Sequence, residues 1–133
     1  MSRDRKGCQV VICDDQAAFR QIVSVVLSLD PGIEVVGEAA DGQEAIRLVR
    51  EMHPDVLLLD VAMPVMDGLE ALPHIRRSAP GTHVVMVTGV TSERIRHRAL
   101  DGGASLFIEK GTDVESLVEQ IKEVCRKPRV PSR

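Results

Sequence analysis

The apolar pattern of this chain changes period repeatedly, and the change recurs five times along its 133 residues. Short runs rich in β-branched residues occupy positions 10–13, 33–37, 56–59, 84–87 and 106–108. Between them, apolar residues recur at helical spacing over segments of about 10–14 residues. The runs at 56–59 and 84–87 are apolar throughout, as strands covered on both faces are. Five strand–helix repeats predict an α/β fold, a parallel five-stranded sheet with helices packed on both sides. Right-handed crossovers leave few topologies for such a chain. In the doubly wound order 2-1-3-4-5, strands 1 and 3 are neighbours, the chain reverses direction between them, and ligands bind there, beyond the carboxyl ends of the strands.

The intervening segments carry their own start and stop signals. In the first, Ala18, Ile22, Val25, Val26 and Leu29 define one face, expected to meet the sheet. The second opens at Asp41-x-x-Glu44 and presents Ala45, Ile46, Val49 and Met52. A third follows Asp67-Gly68 with Leu69, Leu72, Ile75 and Arg76 on one side, and Pro73 inside it is expected to bend it. The fourth spans about 92–100 and stops at Gly102-Gly103. For the fifth, Thr112-x-x-Glu115 reads as a capping box ahead of Val114, Leu117, Val118, Ile121 and Val124.

Chemistry-bearing residues stand where the strands end. Asp14 and Asp15 follow the first run and Asp60 follows the third, so the predicted topology gathers three carboxylates at one sheet edge. Anions that close need a cation or must take up protons. Hard oxygen donors from several segments suit Mg²⁺, which commonly also touches a phosphate. Thr88 and Lys110 end the fourth and fifth runs and add a hydroxyl and an ammonium to the same edge. Each feature has a plainer reading alone: Asp14 and Asp15 as helix caps, Asp60 as a loop acid, Thr88 as a strand-end hydroxyl, Lys110 as a surface lysine. Their joint placement is what makes a phosphoryl-handling site.

The bulk numbers narrow the classes. Net charge is −3 and pI about 5.8, so the totals give no sign of nucleic-acid binding. Basic residues gather only at the ends: Arg3, Arg5 and Lys6, then Arg126, Lys127, Arg129 and Arg133, which read as solvated tails. No apolar stretch is long enough for a signal-peptide core or a membrane span. Cys8, Cys13 and Cys125 lack metal-ligand spacing; Cys13 reads as a small core residue, and a reducing, cytoplasmic location is expected. His53, His74, His83 and His97 are scattered and read as surface or structural. The expected organisation is an N-terminal tail over 1–8, one domain over 9–126, and a tail or linker stub over 127–133.

With these residues in place, the chain resembles the receiver domain of bacterial two-component response regulators, whose flavodoxin-like (βα)5 fold matches the order above. Asp14-Asp15, the run from Asp55 through Asp60, Met63-Pro64 and Asp67-Gly68, then Thr88 and Lys110 carry the resemblance. The stretches 35–42 and 103–110 are similar to the NarL/FixJ-like subclass, which often carries a DNA-binding domain. The resemblance implies a phosphorylation-activated switch, with Asp60 accepting a phosphoryl group from a sensor histidine kinase or phosphotransfer protein. It implies Mg²⁺ held by Asp14, Asp15, Asp60 and the backbone carbonyl of Ala62, and phosphoryl contacts from Thr88 and Lys110. Phe107 falls at the switch aromatic position, although ordinary core packing explains a phenylalanine there equally well. The output surface implied is the fourth helix, fifth strand and fifth helix, roughly 92–126.

The resemblance also implies a cytoplasmic phosphoprotein that works in transcription regulation or as a single-domain regulator. It would catalyse its own phosphorylation and dephosphorylation without a turnover substrate, and would touch neither membrane nor nucleic acid directly. A homodimer is left open. The chain departs from the family at Gly111, where many members have proline, and at Gly89, where alanine is common; Ala62 and Val90 add no polar side chain near the site. Other classes fit less well. An aspartate-based phosphatase usually has a second acid two residues after its nucleophile, where this chain has Ala62. A flavodoxin-like flavin binder would need a Ser/Thr/Gly-rich phosphate loop after the first strand and an aromatic stacking partner, yet the chain has no Trp or Tyr. An unphosphorylated scaffold would not need the acids, Thr88 and Lys110 intact.

Overall fold

The computed structural model describes residues 7–89 and 92–131. Within them strands and helices alternate as β1 (Cys8–Cys13), α1 (Ala17–Ser28), β2 (Ile33–Ala39), α2 (Gly42–Met52), β3 (Val56–Leu59), α3 (Gly68–Ser78), β4 (His83–Thr88), α4 (Glu93–Asp101), β5 (Leu106–Glu109) and α5 (Val114–Arg126). The strands form one sheet in the order β2-β1-β3-β4-β5, every pair parallel. The expected α/β, doubly wound sheet of order 2-1-3-4-5 is therefore the observed one.

Alternate residues along each strand point to opposite faces, and two separate cores follow from that. Val11, Cys13, Leu57, Leu59, Val84, Met86 and Phe107 pack with α2, α3 and α4. Val10, Ile12, Val56, Leu58, Val85, Val87 and Ile108 pack with α1 and α5. A strand bearing apolar residues on both faces has no polar alternation, which is why β3 and β4 read as unbroken apolar runs.

The helices correct several expectations. In α1 the buried residues are Val23 and Leu27, while Ile22, Val25 and Leu29 are exposed. The segment is apolar around most of its circumference, so helical spacing alone selects two stripes equally well; the sheet takes the one containing Val23 and Leu27, with Phe19 and Val26 at its margin. In α2, Leu48 is buried beside Ala45 and Val49, whereas Met52 is exposed. The fifth helix is capped by Asp113, whose carboxylate accepts from the Ser116 N–H at 2.8 Å, rather than by Thr112. A charged acceptor at that helix end also meets the positive end of the dipole, an advantage a hydroxyl lacks. Asp41 and Asp67 cap α2 and α3 as expected, and α3 continues past Pro73 to Ser78.

Both ends of the described residues are tied to the body. Cys8 and Cys125 form a disulfide across 117 positions, with Cα atoms 5.6 Å apart, and Cys13 is the free, buried cysteine. The sequence reading did not pair them. After α5 the chain runs under the amino ends of β3 and β4. There the Val130 N–H donates to the Gly81 carbonyl at 3.1 Å, and Arg129 pairs with Asp55 at 2.8 Å. His83 Nε2 donates to the Pro128 carbonyl at 2.8 Å, while Nδ1 meets the Ser105 hydroxyl at 2.8 Å. Residues 1–6, 132–133 and 90–91, which include Val90 and the basic Arg3, Arg5, Lys6 and Arg133, lie outside the described residues.

One backbone conformation stands out in the loop between β3 and α3. Val65 has φ 68° and is 73% exposed. A β-branched side chain in the left-handed region costs about 1–2 kcal/mol, and an exposed valine recovers little by burial. Val65→Gly is expected to raise the unfolding free energy by about 1 kcal/mol in urea titration; an unchanged or lower value would contradict the strain.

Candidate functional site

The register of the sheet builds the site. Cys13 pairs with Leu59 and Leu59 with Met86, so Asp14 and Asp60 emerge side by side, one residue beyond paired positions. The Asp60 N–H donates to the Cys13 carbonyl at 3.1 Å, and the Asp14 N–H donates to that of Ala39 at 3.0 Å. On the other side the Lys110 N–H donates to the Thr88 carbonyl at 2.9 Å. Gly68, the first residue of α3, sits against the Asp60 backbone; a Cβ there would collide with the Asp60 carbonyl oxygen. Only glycine lets the capped end of α3 come that close.

Within this frame Asp14 and Asp60 are buried, at 1% and 4% exposure, and Asp15 is exposed. Oxygens of all three carboxylates lie within 4.8 Å of one another. Lys110 Nζ pairs with Asp14 Oδ2 at 2.8 Å and lies 3.5 Å from Asp60 Oδ2. It also donates to Gln16 Oε1 at 3.0 Å and rests 4.5 Å from the centre of the Phe19 ring. Asp14 has a second task, because its Oδ1 accepts from the Gln16 N–H at 2.9 Å. The plainer reading of Asp14 and Asp15 as helix caps does not hold: the N-cap of α1 is Gln16, without a side-chain cap bond, and the Asp14 bond closes a turn just ahead of the helix.

Burial, and then the Asp14 carboxylate, push Asp60 above the ordinary carboxylate range; the Thr88 hydroxyl, Lys110 and the Ala62 N–H pull it back only in part. Burial works to lower Lys110, but Asp14 and Asp60 outweigh it and hold the ammonium above its usual value. Asp60 Oδ1 is buried without a hydrogen-bond partner among the described residues. A buried anionic oxygen in that position is costly unless something positive meets it. Three hard oxygen donors and one unmet buried oxygen fit a divalent cation.

The structure brings together Asp14, Asp15, Asp60, Thr88 and Lys110, as the sequence predicted. Phe107 lies on the neighbouring strand, 8% exposed, with the Arg96 guanidinium 5.9 Å from its ring centre. Sequence reasoning missed Gln16 and Phe19 as partners of Lys110. Gln16 was within reach of inference, standing two residues after Asp14 at the same strand end; Phe19 depended on how α1 turns against the sheet. Cys13 Sγ lies under the site, 3.4 Å from Met63 Sδ, and burial followed by Asp41 and Asp14 pushes its thiol pKa up, so it stays protonated.

A doubly wound sheet with clustered acids, a hydroxyl and a lysine at its switch point defines the class, and comparison with known proteins gives the family. The family model for the response regulator receiver domain matches residues 10–122, and the chain belongs to that family. A protein-glutamate methylesterase/protein-glutamine glutaminase of Methanosarcina mazei is 41% identical over 129 residues, covering 94% of this chain and 35% of the relative. The chain therefore spans about a third of the length of that relative. The signal receiver domain of a NarL response regulator from Mycobacterium tuberculosis superposes with TM-score 0.84 at 34% identity, covering 92% of this chain and 98% of that one. A chain of the CheX–CheY–BeF3–Mg²⁺ complex from Borrelia burgdorferi gives TM-score 0.80 at 28% identity, covering 90% of each chain. The chain is a receiver domain of the phosphorylation-activated response regulators, and its relatives include methylesterase and NarL proteins alike.

Asp60 has a raised pKa in the folded chain, so ionising it costs folding free energy; the stability present below its unfolded pKa is lost as pH rises through the folded one. Asp60→Asn is therefore expected to melt roughly a few degrees higher than wild type at neutral pH. That advantage should shrink when Mg²⁺ is added and vanish below about pH 4, near the unperturbed carboxylate value. A variant that melts lower at neutral pH without Mg²⁺ would contradict the charge-repulsion account.

Proposed function

We propose that Asp60 is the phosphoacceptor, taking a phosphoryl group from the phosphohistidine of a sensor histidine kinase or phosphotransfer protein. A carboxylate oxygen forms the new P–O bond, the P–N bond breaks, and the imidazole leaves with the electron pair and is protonated. The observation that carries this reading is the buried Asp60 carboxylate beside Asp14, with Lys110 Nζ only 3.5 Å away. Anion–anion repulsion is the main obstacle to such a transfer, and positioned cations are the remedy. Asp14, Asp15, Asp60 and the Ala62 carbonyl would hold Mg²⁺, which when bound neutralises charge on the phosphoryl oxygens. The BeF3–Mg²⁺ complex of the Borrelia protein supports that choice of ion by analogy.

Lys110 is held by Asp14 at 2.8 Å and by Gln16 at 3.0 Å, so it has to shift only slightly to reach phosphoryl oxygens at Asp60. Thr88 supplies the hydrogen bond that links chemistry to shape. A hydrogen bond to a charged group is worth roughly 1.5–3 kcal/mol. Moved from the Asp60 carboxylate, where the hydroxyl donates in this structure, to a phosphoryl oxygen in one of two conformations only, it shifts their ratio by about ten- to a hundredfold. Phe107 and Arg96, on the β5 and α4 side of Thr88, are the side chains through which the shift would reach the surface formed by α4, β5 and α5.

On this reading the domain is a switch that catalyses its own phosphorylation and dephosphorylation and has no turnover substrate. Among the described residues no helix is long and apolar enough to cross a membrane. We place the domain in the cytoplasm, where its phosphodonor would be. The expected experiment is intact mass after incubation with acetyl phosphate. Wild type should gain one phosphoryl group only with Mg²⁺, Asp60→Asn none, and Lys110→Ala a reduced amount without the conformational change. Equal labelling of wild type and Asp60→Asn would overturn the assignment.

A further inference from the structure

The disulfide lies at the far pole of the sheet from the acids, and the phosphoryl chemistry has no use for it. It forms part of the wall of an open depression of about 510 Å³, together with Gly7, Asp30, Gly32, Lys122 and Arg126. The two residues differ in burial: Cys8, at the start of β1, is buried at 8% exposure, whereas Cys125, in the last turn of α5, is half-buried. Two cations stand within one turn of Cys125. Lys122 pairs with Asp30 at 3.5 Å and with Glu119 at 3.4 Å, and Arg126 pairs with Glu123 at 3.5 Å. Of these acids only Asp30 lines the depression, so among the described residues its wall holds two cations and one acid.

We propose that Cys125 is a thiol-exchange site for a small anionic thiol of the glutathione class, and that the Cys8–Cys125 bond is a clasp opened and closed there. The incoming thiolate attacks the sulfur of Cys125, the less buried of the two residues; the Cys125–Cys8 bond breaks, and Cys8 leaves as a thiolate and takes up a proton. A second thiol then attacks the outer sulfur of the mixed disulfide, releasing Cys125 as a thiol and the small thiol as its own disulfide. Two electrons pass from two small thiols to the protein disulfide, and the reverse sequence closes it. Lys122 and Arg126 attract the carboxylates of the thiol. In a reducing compartment disulfides are transient and redox-sensing rather than permanent, and a half-buried cysteine on an open depression beside two cations meets that requirement. Closing the clasp fixes the end of α5 to the first strand and holds the start of the docked segment 128–130.

The test follows exchange by intact mass and peptide mapping with glutathione as the anionic probe and 2-mercaptoethanol as the neutral one. The oxidised protein should show Cys8 joined to Cys125, and limiting glutathione should give a mixed disulfide mapped to Cys125. In the Lys122→Gln/Arg126→Gln double variant, exchange with glutathione should slow roughly fivefold relative to 2-mercaptoethanol, the order expected for exposed charges a few ångströms apart. Cys8→Ser, which keeps Cys125 without the clasp, should be glutathionylated by glutathione disulfide faster than Cys125→Ser is modified at Cys8. A mixed disulfide on Cys8 or Cys13, an unchanged rate ratio in the double variant, or equal modification of the two single variants would each overturn the proposal.

Discussion

Two buried carboxyl groups side by side, with Asp60 pushed above the ordinary carboxylate range by burial and by its neighbour, are the constraint on which the rest of this molecule turns. Asp14 and Asp60 sit side by side beyond paired strand positions, both nearly inaccessible to water. Their mutual repulsion is offset by Lys110, which reaches from the end of β5 and lies within 3.5 Å of both. The site therefore has charge waiting to be neutralised and a cation already positioned between two acids. On the proposed reading a phosphoryl group at Asp60 would add further anionic oxygens to that balance, drawing Lys110 toward them and turning Thr88 from the carboxylate to the phosphoryl group, so that signal and chemistry would be one electrostatic event.

The sheet is what makes such crowding tolerable. Parallel register fixes where each strand ends, and backbone hydrogen bonds from Asp14, Asp60 and Lys110 to neighbouring strands hold the three backbones at one level. Apolar packing on both faces resists any relaxation that would separate the acids. Gly68 allows the capped start of α3 to press against the Asp60 backbone from above. The strain at Val65 in the same loop is a cost this arrangement carries.

Strands, their order and the gathering of Asp14, Asp15, Asp60, Thr88 and Lys110 at one sheet edge were legible because period-two and period-3.6 patterns alternate cleanly and these residues stand where strands end. The inward face of α1 was not legible: Ile22, Val25 and Leu29 have the same spacing as Val23 and Leu27 within one turn, and only the fit against β1 and α5 decides between them. Thr112 and Asp113 offered competing caps one residue apart, and the stronger acceptor won. The Cys8–Cys125 pair is invisible at 117 positions' separation without the register, although a helix antiparallel to the strand it covers brings its end to that strand's beginning. The docking of 128–130 rests on His83 and Asp55, residues that read as ordinary until the chain end is placed against them.

The most direct test of the central claim is the titration of the Asp60 carboxyl carbon by ¹³C NMR, with and without Mg²⁺. The account predicts a midpoint above the ordinary carboxylate range in the metal-free protein, falling below that range when Mg²⁺ is bound. An ordinary midpoint in both conditions would mean that Asp14 and burial impose no cost on Asp60, and the electrostatic basis of the switch would fail.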